Sequence, residues 1–231
     1  MLILGLQKTT LLDFPGKVAS TIFTGGCNFR CSYCHNRDLV FPPADVLSYS
    51  EEEIFEHLTA KKKVLDGVCI TGGEPTLHRD LPEFIGKIKD LGLLVKLDSN
   101  GTNPEMLRLL IDQGLVDYIA MDIKHTKEKY NSIAAMPNFR LDLIEESVEL
   151  LKNSAIDYEF RTTIMKECHQ AQDMEDIGKW LQGAKAYYLQ SYKESEQVIN
   201  PIFSPHSKED LEKFVEILKT YIPNTSIRGV D

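Results

Sequence analysis

Apolar positions recur along this chain with two alternating periods. Short runs rich in β-branched and aromatic residues, at 18–24, 68–71, 93–97, 118–121, 158–164 and 186–190, each stop at glycine or polar residues and predict buried strands. Stretches of helical period lie between them. Ser50 before Glu51-Glu52-Glu53 predicts an N-capped helix that runs to about residue 63. Residues 81–91 predict a helix stopped by Gly92, and Leu141, Ile144, Val148 and Leu151 mark the buried stripe of another. Ser207 is placed to cap a last helix whose inner face is Leu211, Phe214, Val215 and Leu218. About six alternating strand–helix units predict an α/β fold, an open, partial (β/α)6 TIM-like barrel rather than a closed eight-fold one. Residues 4–17, with a turn at Pro15-Gly16, predict an extended element over one end of the barrel, and 222–230 an edge strand.

A length of 231 residues suits one domain, with an extended element at 1–17, a barrel at 18–205 and a helix and tail at 206–231. A formal net charge of −9 argues against a nucleic-acid or anionic-membrane surface and for a small-molecule or protein partner. No apolar run approaches the roughly 20 residues of a membrane span. The first residues lack the basic and apolar regions of a signal peptide, so a soluble cytoplasmic protein is expected.

The chemistry concentrates in one place. Cys27, Cys31 and Cys34, three of the five cysteines, fall in a single short loop after the first barrel strand, where parallel α/β barrels carry their functional groups. Three thiolates can each hold one iron of a cubane cluster and leave one iron open, whereas a closed all-cysteine cluster needs a fourth ligand. Zinc is the nearest alternative, but His35 directly follows Cys34 and no second Cys or His pair stands at finger spacing. Cys31-Ser32-Tyr33-Cys34-His35 also reads as a haem attachment motif, which needs an exported chain. A disulfide framework does not suit a cytosolic chain of this size.

The C-x3-C-x2-C spacing, with Tyr33 before the last cysteine, resembles the signature of the radical S-adenosylmethionine (SAM) superfamily. Tyr33-Cys34-His35-Asn36 and Leu12-Asp13-Phe14-Pro15-Gly16-Lys17 resemble more narrowly the activating enzymes of glycyl-radical enzymes, and most closely those of anaerobic ribonucleoside-triphosphate reductase. The resemblance implies a [4Fe-4S] cluster on Cys27, Cys31 and Cys34 with SAM at the open iron. It implies an external one-electron donor such as flavodoxin or ferredoxin, cleavage of SAM to a 5′-deoxyadenosyl radical, and removal of a hydrogen atom from a glycine of the partner enzyme. It also implies a compact barrel of the radical SAM type without a ferredoxin-like insert, since no cysteine-rich stretch separates Cys34 from Gly72.

Site residues follow by the same resemblance. Gly72, Gly73 and Glu74 match the GGEP motif that holds the SAM amino group, and Lys124 is the expected carboxylate contact. Tyr33, His35, Ser99, Asn100, Arg161 and Gln190 are further expected SAM contacts, although Arg161 reads equally well as the partner of a barrel carboxylate. Asp98 and Asp122, with Ser99 and Met121, are candidate ligands of a monovalent cation. Lys193 stands where related activases place a histidine. Cys69 reads as a small buried hydrophobe, and Cys168-His169 as a loop thiol beside a solvated histidine. Alternatives within the superfamily are activation of another glycyl-radical enzyme, such as a pyruvate formate-lyase-like one, or a small-molecule reaction like that of 7-carboxy-7-deazaguanine synthase. A non-catalytic zinc or electron-transfer protein is the alternative of a different class.

Overall fold

The computed structural model describes residues 1–229 and contains one eight-stranded sheet whose strands lie side by side in sequence order. β1 (Ile3–Thr10) runs antiparallel to β2 (Ala19–Thr24). From β2 onward every pairing is parallel, through β3 (Gly67–Gly72), β4 (Leu94–Ser99), β5 (Tyr118–Asp122), β6 (Asp157–Ile164), β7 (Tyr187–Ser191) and β8 (Thr225–Arg228). β1 and β8 stay unpaired with each other, so the sheet curves into a partial barrel without closing. The expected terminal strand is present and shorter than the pattern suggested; Val230 lies outside the described residues.

The expected helices are α2 (Glu51–Lys61), α3 (Leu81–Asp90), α6 (Leu141–Lys152) and α8 (Lys208–Lys219). Ser50 closes a full capping box with Glu53, and the Ser207 hydroxyl accepts the Asp210 N–H at 3.1 Å. Four more helices complete the set: α1 (Arg37–Val40), α4 (Pro104–Asp112), α5 (Tyr130–Ala134) and α7 (Ala171–Trp180). The start of α4 has its own chemical reason, because Asn103 accepts the Met106 N–H and Pro104 supplies a preset φ at the first helical position.

Strand alternation separates two interiors. Val95 and Leu97 of β4, Ile119 of β5 and Phe160 of β6 are fully buried in the apolar cluster shared with α3, α4 and α6. Each such side chain contributes about 1.5–3 kcal/mol relative to exposure. The alternate residues face the barrel axis and are polar or charged: Lys96 and Asp98, Tyr118 and Asp122, Glu159 and Arg161. Near the base, Tyr118 donates its hydroxyl to Glu159 at 2.6 Å and Arg228 of β8 donates to the same carboxylate at 2.8 Å, which ties the last strand into the lumen. Much of the expected N-terminal cover is instead the edge strand β1, and only the turn that follows it reaches that end. Phe14 is buried there, its ring 6.1 Å from that of Tyr118.

Gly72 and Gly73 sit where β3 crosses the end of β2. A Cβ at Gly72 would lie 2.4 Å from the Thr24 backbone, and one at Gly73 only 1.9 Å from the Gly26 carbonyl oxygen. Gly72 also has φ +117°, a conformation glycine adopts readily and other residues rarely. Replacing Gly73 by Ala is expected to cost about 1–3 kcal/mol or more through forced backbone separation. Urea unfolding of the variant against wild type measures it.

Candidate active site

All parallel strands end at one face, and a cavity of about 330 Å³ opens there. Its wall combines the cysteine loop with the ends of β3 to β7. Of the residues singled out in the sequence, Cys27, Cys31, Tyr33, Cys34, His35, Gly72, Gly73, Asp98, Ser99, Asn100, Asp122, Lys124, Arg161 and Gln190 all line it. Glu74 and Met121 do not.

Glu74 is fully buried behind the wall, and its carboxylate is occupied by the protein's own donors. It accepts from Thr76 N–H at 3.1 Å and Thr76 hydroxyl at 2.5 Å, from Ser99 hydroxyl at 2.9 Å and from Asn100 N–H at 2.6 Å. Burial raises its pKa, and these bonds only partly counter the rise. The expectation that Glu74 faces an ammonium group is therefore corrected: it fixes the β4 end from behind. The Gly73 and Glu74 amides are likewise spent on the Thr24 and Gly26 carbonyls, both at 2.8 Å. Asn100 carries the linkage onward by donating to the Asn28 side chain at 2.7 Å, one residue from Cys27.

The two strand-end aspartates are joined by cationic side chains. Arg161 donates to Asp122 at 3.0 Å and to Asp98 at 3.2 Å, Lys124 donates to Asp122 at 3.0 Å, and Lys96 pairs with Asp98 from below. Burial alone would raise both carboxyl pKa values, but Arg161 and Lys96 outweigh it at Asp98, and Lys124 and Arg161 outweigh it at Asp122, so both are lowered. The monovalent cation expected between these carboxylates is not supported. Guanidinium and ammonium groups already offset their repulsion, and Met121 is buried with its side chain against Gly101 rather than turned to the cavity.

The cysteine loop carries little charge of its own. Burial pushes the Cys27 thiol up to about 12 and the Cys31 thiol up to about 11, so both are protonated until a metal displaces the proton. Among the described residues, no three His, Cys, Asp or Glu side chains converge closely enough to hold a single metal ion. Three free thiols on one cavity wall, without a fourth, fit a cluster that takes each thiolate on a different iron better than one zinc ion. The Tyr33 hydroxyl is also buried here without a hydrogen-bond partner, and the Lys124 ammonium lies 5.9 Å from its ring centroid. A segment just beyond β7 backs this loop: Ile199 N–H donates to the Cys34 carbonyl at 3.0 Å and Asn200 N–H to the Ser32 carbonyl at 2.8 Å.

Several wall residues were not singled out as site residues. Asp13, held by the Thr21 hydroxyl at 2.5 Å, together with Phe23 and Thr163, lines the cavity, while Lys96 anchors Asp98 from the buried floor. The signal for Lys96 was a charged residue alternating with Asp98 inside an apolar strand. Cys69 is fully buried, as expected, with its sulfur 3.7 Å from the Lys96 ammonium. His169 overturns its reading: it is fully buried, and its ring stacks on His125 at 4.6 Å.

Comparison with known proteins places this geometry. The radical SAM superfamily profile matches residues 21–181. A protein of Methanocaldococcus jannaschii, provisionally named a glycyl-radical enzyme activating enzyme, is 33% identical over 237 residues, covering 100% of this chain and 97% of that protein. The pyruvate formate-lyase-activating enzyme of Clostridium pasteurianum is 31% identical over 131 residues, 53% of this chain and 52% of that one. Among solved structures, Streptococcus suis SuiB bound to S-adenosylmethionine superposes with a TM-score of 0.71 at 13% identity, over 89% of this chain and 49% of that one. The chain belongs to the radical SAM superfamily. Within it, the full-length match aligns the chain with the activating enzymes of glycyl-radical enzymes. Membership implies a [4Fe-4S] cluster and SAM as cofactors. No helix among the described residues is long and apolar enough to cross a membrane.

The buried histidine pair gives a pH prediction. Burial and the neighbouring His125 push the His169 imidazole down to about 3. An unfolded histidine titrates near 6.5, so the unfolded chain takes up this proton first. The contribution of His169 to stability is intact above about pH 6.5 and is lost as pH falls toward 3, at up to about 1.4 kcal/mol per unit. Between about pH 7.5 and 5.5, the urea midpoint of wild type should fall further than that of His169→Gln, which cannot titrate.

Proposed function

We propose that this protein is a radical SAM activase that installs a glycyl radical on anaerobic ribonucleoside-triphosphate reductase. The observation that carries the reading is the cavity itself, in which three free thiols face a fixed lysine and a polar wall at the mouth of an open barrel. The full-length likeness to a glycyl-radical enzyme activating enzyme supports the partner class. The segment around Asp13 and the run Tyr33-Cys34-His35-Asn36 favour the reductase as its member.

In this reading Cys27, Cys31 and Cys34 hold the cluster. When bound, the cluster and SAM supply the one-electron chemistry that takes a hydrogen atom from the partner's glycine. The chain's own task is to bind, orient and exclude water. Lys124, pre-aimed by Asp122, would take the SAM carboxylate, and the carbonyl groups at Gly72 and Gly73 would take its ammonium. Ser99 and Asn100 would border the same end of the ligand. Arg161 contributes mainly by holding Asp98 and Asp122, while Tyr33, His35 and Gln190 would flank the nucleoside. No side chain is required as a general base. An electron carrier such as flavodoxin or ferredoxin and a mobile glycine loop of the reductase complete the system.

The test is anaerobic reconstitution with iron and sulfide, then dithionite, SAM and the candidate reductase. Wild type should yield 5′-deoxyadenosine and an electron paramagnetic resonance signal from a glycyl radical on the reductase. Cys27→Ala, Cys31→Ala and Cys34→Ala should each lose cluster iron and both products, and an intact cluster in all three would overturn the reading. SAM cleavage without the radical would move the target to another glycyl-radical enzyme, such as a pyruvate formate-lyase-like one. Lys124→Met should keep its iron and bind SAM roughly ten- to a hundredfold more weakly, for the loss of one charge-assisted contact.

A further inference from the structure

His125 and His169 belong to different loops, one after β5 and one between β6 and α7, yet their rings stack at 4.6 Å and 14°. Both are buried, and each ring nitrogen has one defined partner. The His125 Nδ1 accepts the Thr126 N–H at 2.8 Å, so its Nε2 carries the proton and donates to the Cys168 carbonyl at 2.9 Å. The His169 Nδ1 accepts the Met165 N–H at 3.2 Å, so its Nε2 donates to the Lys124 carbonyl at 3.4 Å. His206, just before α8, donates in turn to the His169 carbonyl at 3.0 Å. Two rings thus bond each loop's backbone to the other, and the bond that closes the pair lands on Lys124.

The Lys124 side chain is held by Asp122 at its tip and by its own backbone at its root. Its ammonium bonds to Asp122, but a lysine stem is flexible and its direction is set by its own backbone. The carbonyl held by His169 belongs to that backbone. We infer that His125 and His169 form a neutral imidazole clamp that positions Lys124 for the carboxylate of SAM, with His169 as the positioning residue. The inference rests on the assignment of Lys124 under Proposed function. Each tautomer is set by an amide of the ring's own loop, and each ring then donates across to a carbonyl of the opposite loop, so the pair ties the two backbones together rather than only packing between them.

Three substitutions separate positioning from packing. His169→Gln can keep a donor where Nε2–H stands, His169→Asn keeps only the acceptor for Met165, and His169→Phe keeps only the stack. With cluster iron content equal to wild type, SAM binding to the reconstituted protein by equilibrium dialysis should weaken roughly five- to tenfold in the Asn and Phe variants. Binding by the Gln variant should stay within about twofold of wild type, and turnover at saturating SAM should be little changed in all three. Equal SAM affinity across the series, or equal loss in Gln and Phe, would overturn the clamp. Hydrogen exchange of the cluster-free protein gives a readout that does not need SAM. Amides 123–126 should exchange faster in the Asn variant than in the Gln variant, and His125→Asn, which loses the donor to Cys168, should loosen the same peptides. Unchanged exchange overturns the clamp whatever SAM does. Failure of wild type itself to bind SAM overturns the functional reading instead.

Discussion

The site depends on the way Arg161 lies between two carboxylates. Asp98 and Asp122 occupy the ends of adjacent β4 and β5 and face the same lumen, where two unpaired negative charges would repel strongly in a low-dielectric interior. Arg161 enters from β6 and bonds to both, Lys96 holds Asp98 from beneath, and Lys124 holds Asp122 from above. Removing one member of such a set leaves a buried charge uncompensated, so the group acts as a unit. That unit fixes the relative height of three neighbouring strands. A guanidinium does this better than an ammonium because its planar fork can serve two acceptors at once.

A second frame, centred on the buried Glu74 carboxyl group, holds the cysteine loop against this wall. Glu74 gathers Thr76, Ser99 and Asn100, Asn100 reaches Asn28, and the backbone of the second glycine turn passes within bonding distance of Thr24 and Gly26. Here the acidic residue of the turn shapes the cavity without lining it. The functional wall is left with groups whose hydrogen-bonding capacity is not yet used, such as the Tyr33 hydroxyl.

Most of the architecture was legible because parallel strands buried on both sides read as short apolar runs, and the helices carry clear caps at Ser50 and Ser207. The cavity-lining set was legible for a related reason: residues at the ends of parallel strands share one face, so Asp98, Asp122, Lys124 and Arg161 had to meet. What the sequence left open was direction. Whether Glu74 turns into the cavity or behind it depends on the close approach of two backbones at Gly73 and Gly26, which no local pattern encodes. The fate of His169 depends on His125, a residue on another loop, and a ring next to a cysteine in a polar stretch carries no mark of the stack that buries it. The cation is not supported because Lys96 and Arg161 supply the counter-charges of the same carboxylates, and which carboxylate a strand cation meets depends on the register between strands.

The segment that backs the cysteine loop has a consequence for biosynthesis. Ile199 and Asn200 lend their amide hydrogens to Cys34 and Ser32, so the peptide planes of the loop take their orientation from a stretch far toward the other end of the chain. The thiols leave the ribosome long before the amides of Ile199 and Asn200 that orient their loop. Iron and sulfide would therefore meet a fully organised cradle only after Asn200 has been made, and a nascent chain that stops short of it offers the cysteines without the backbone that arranges them.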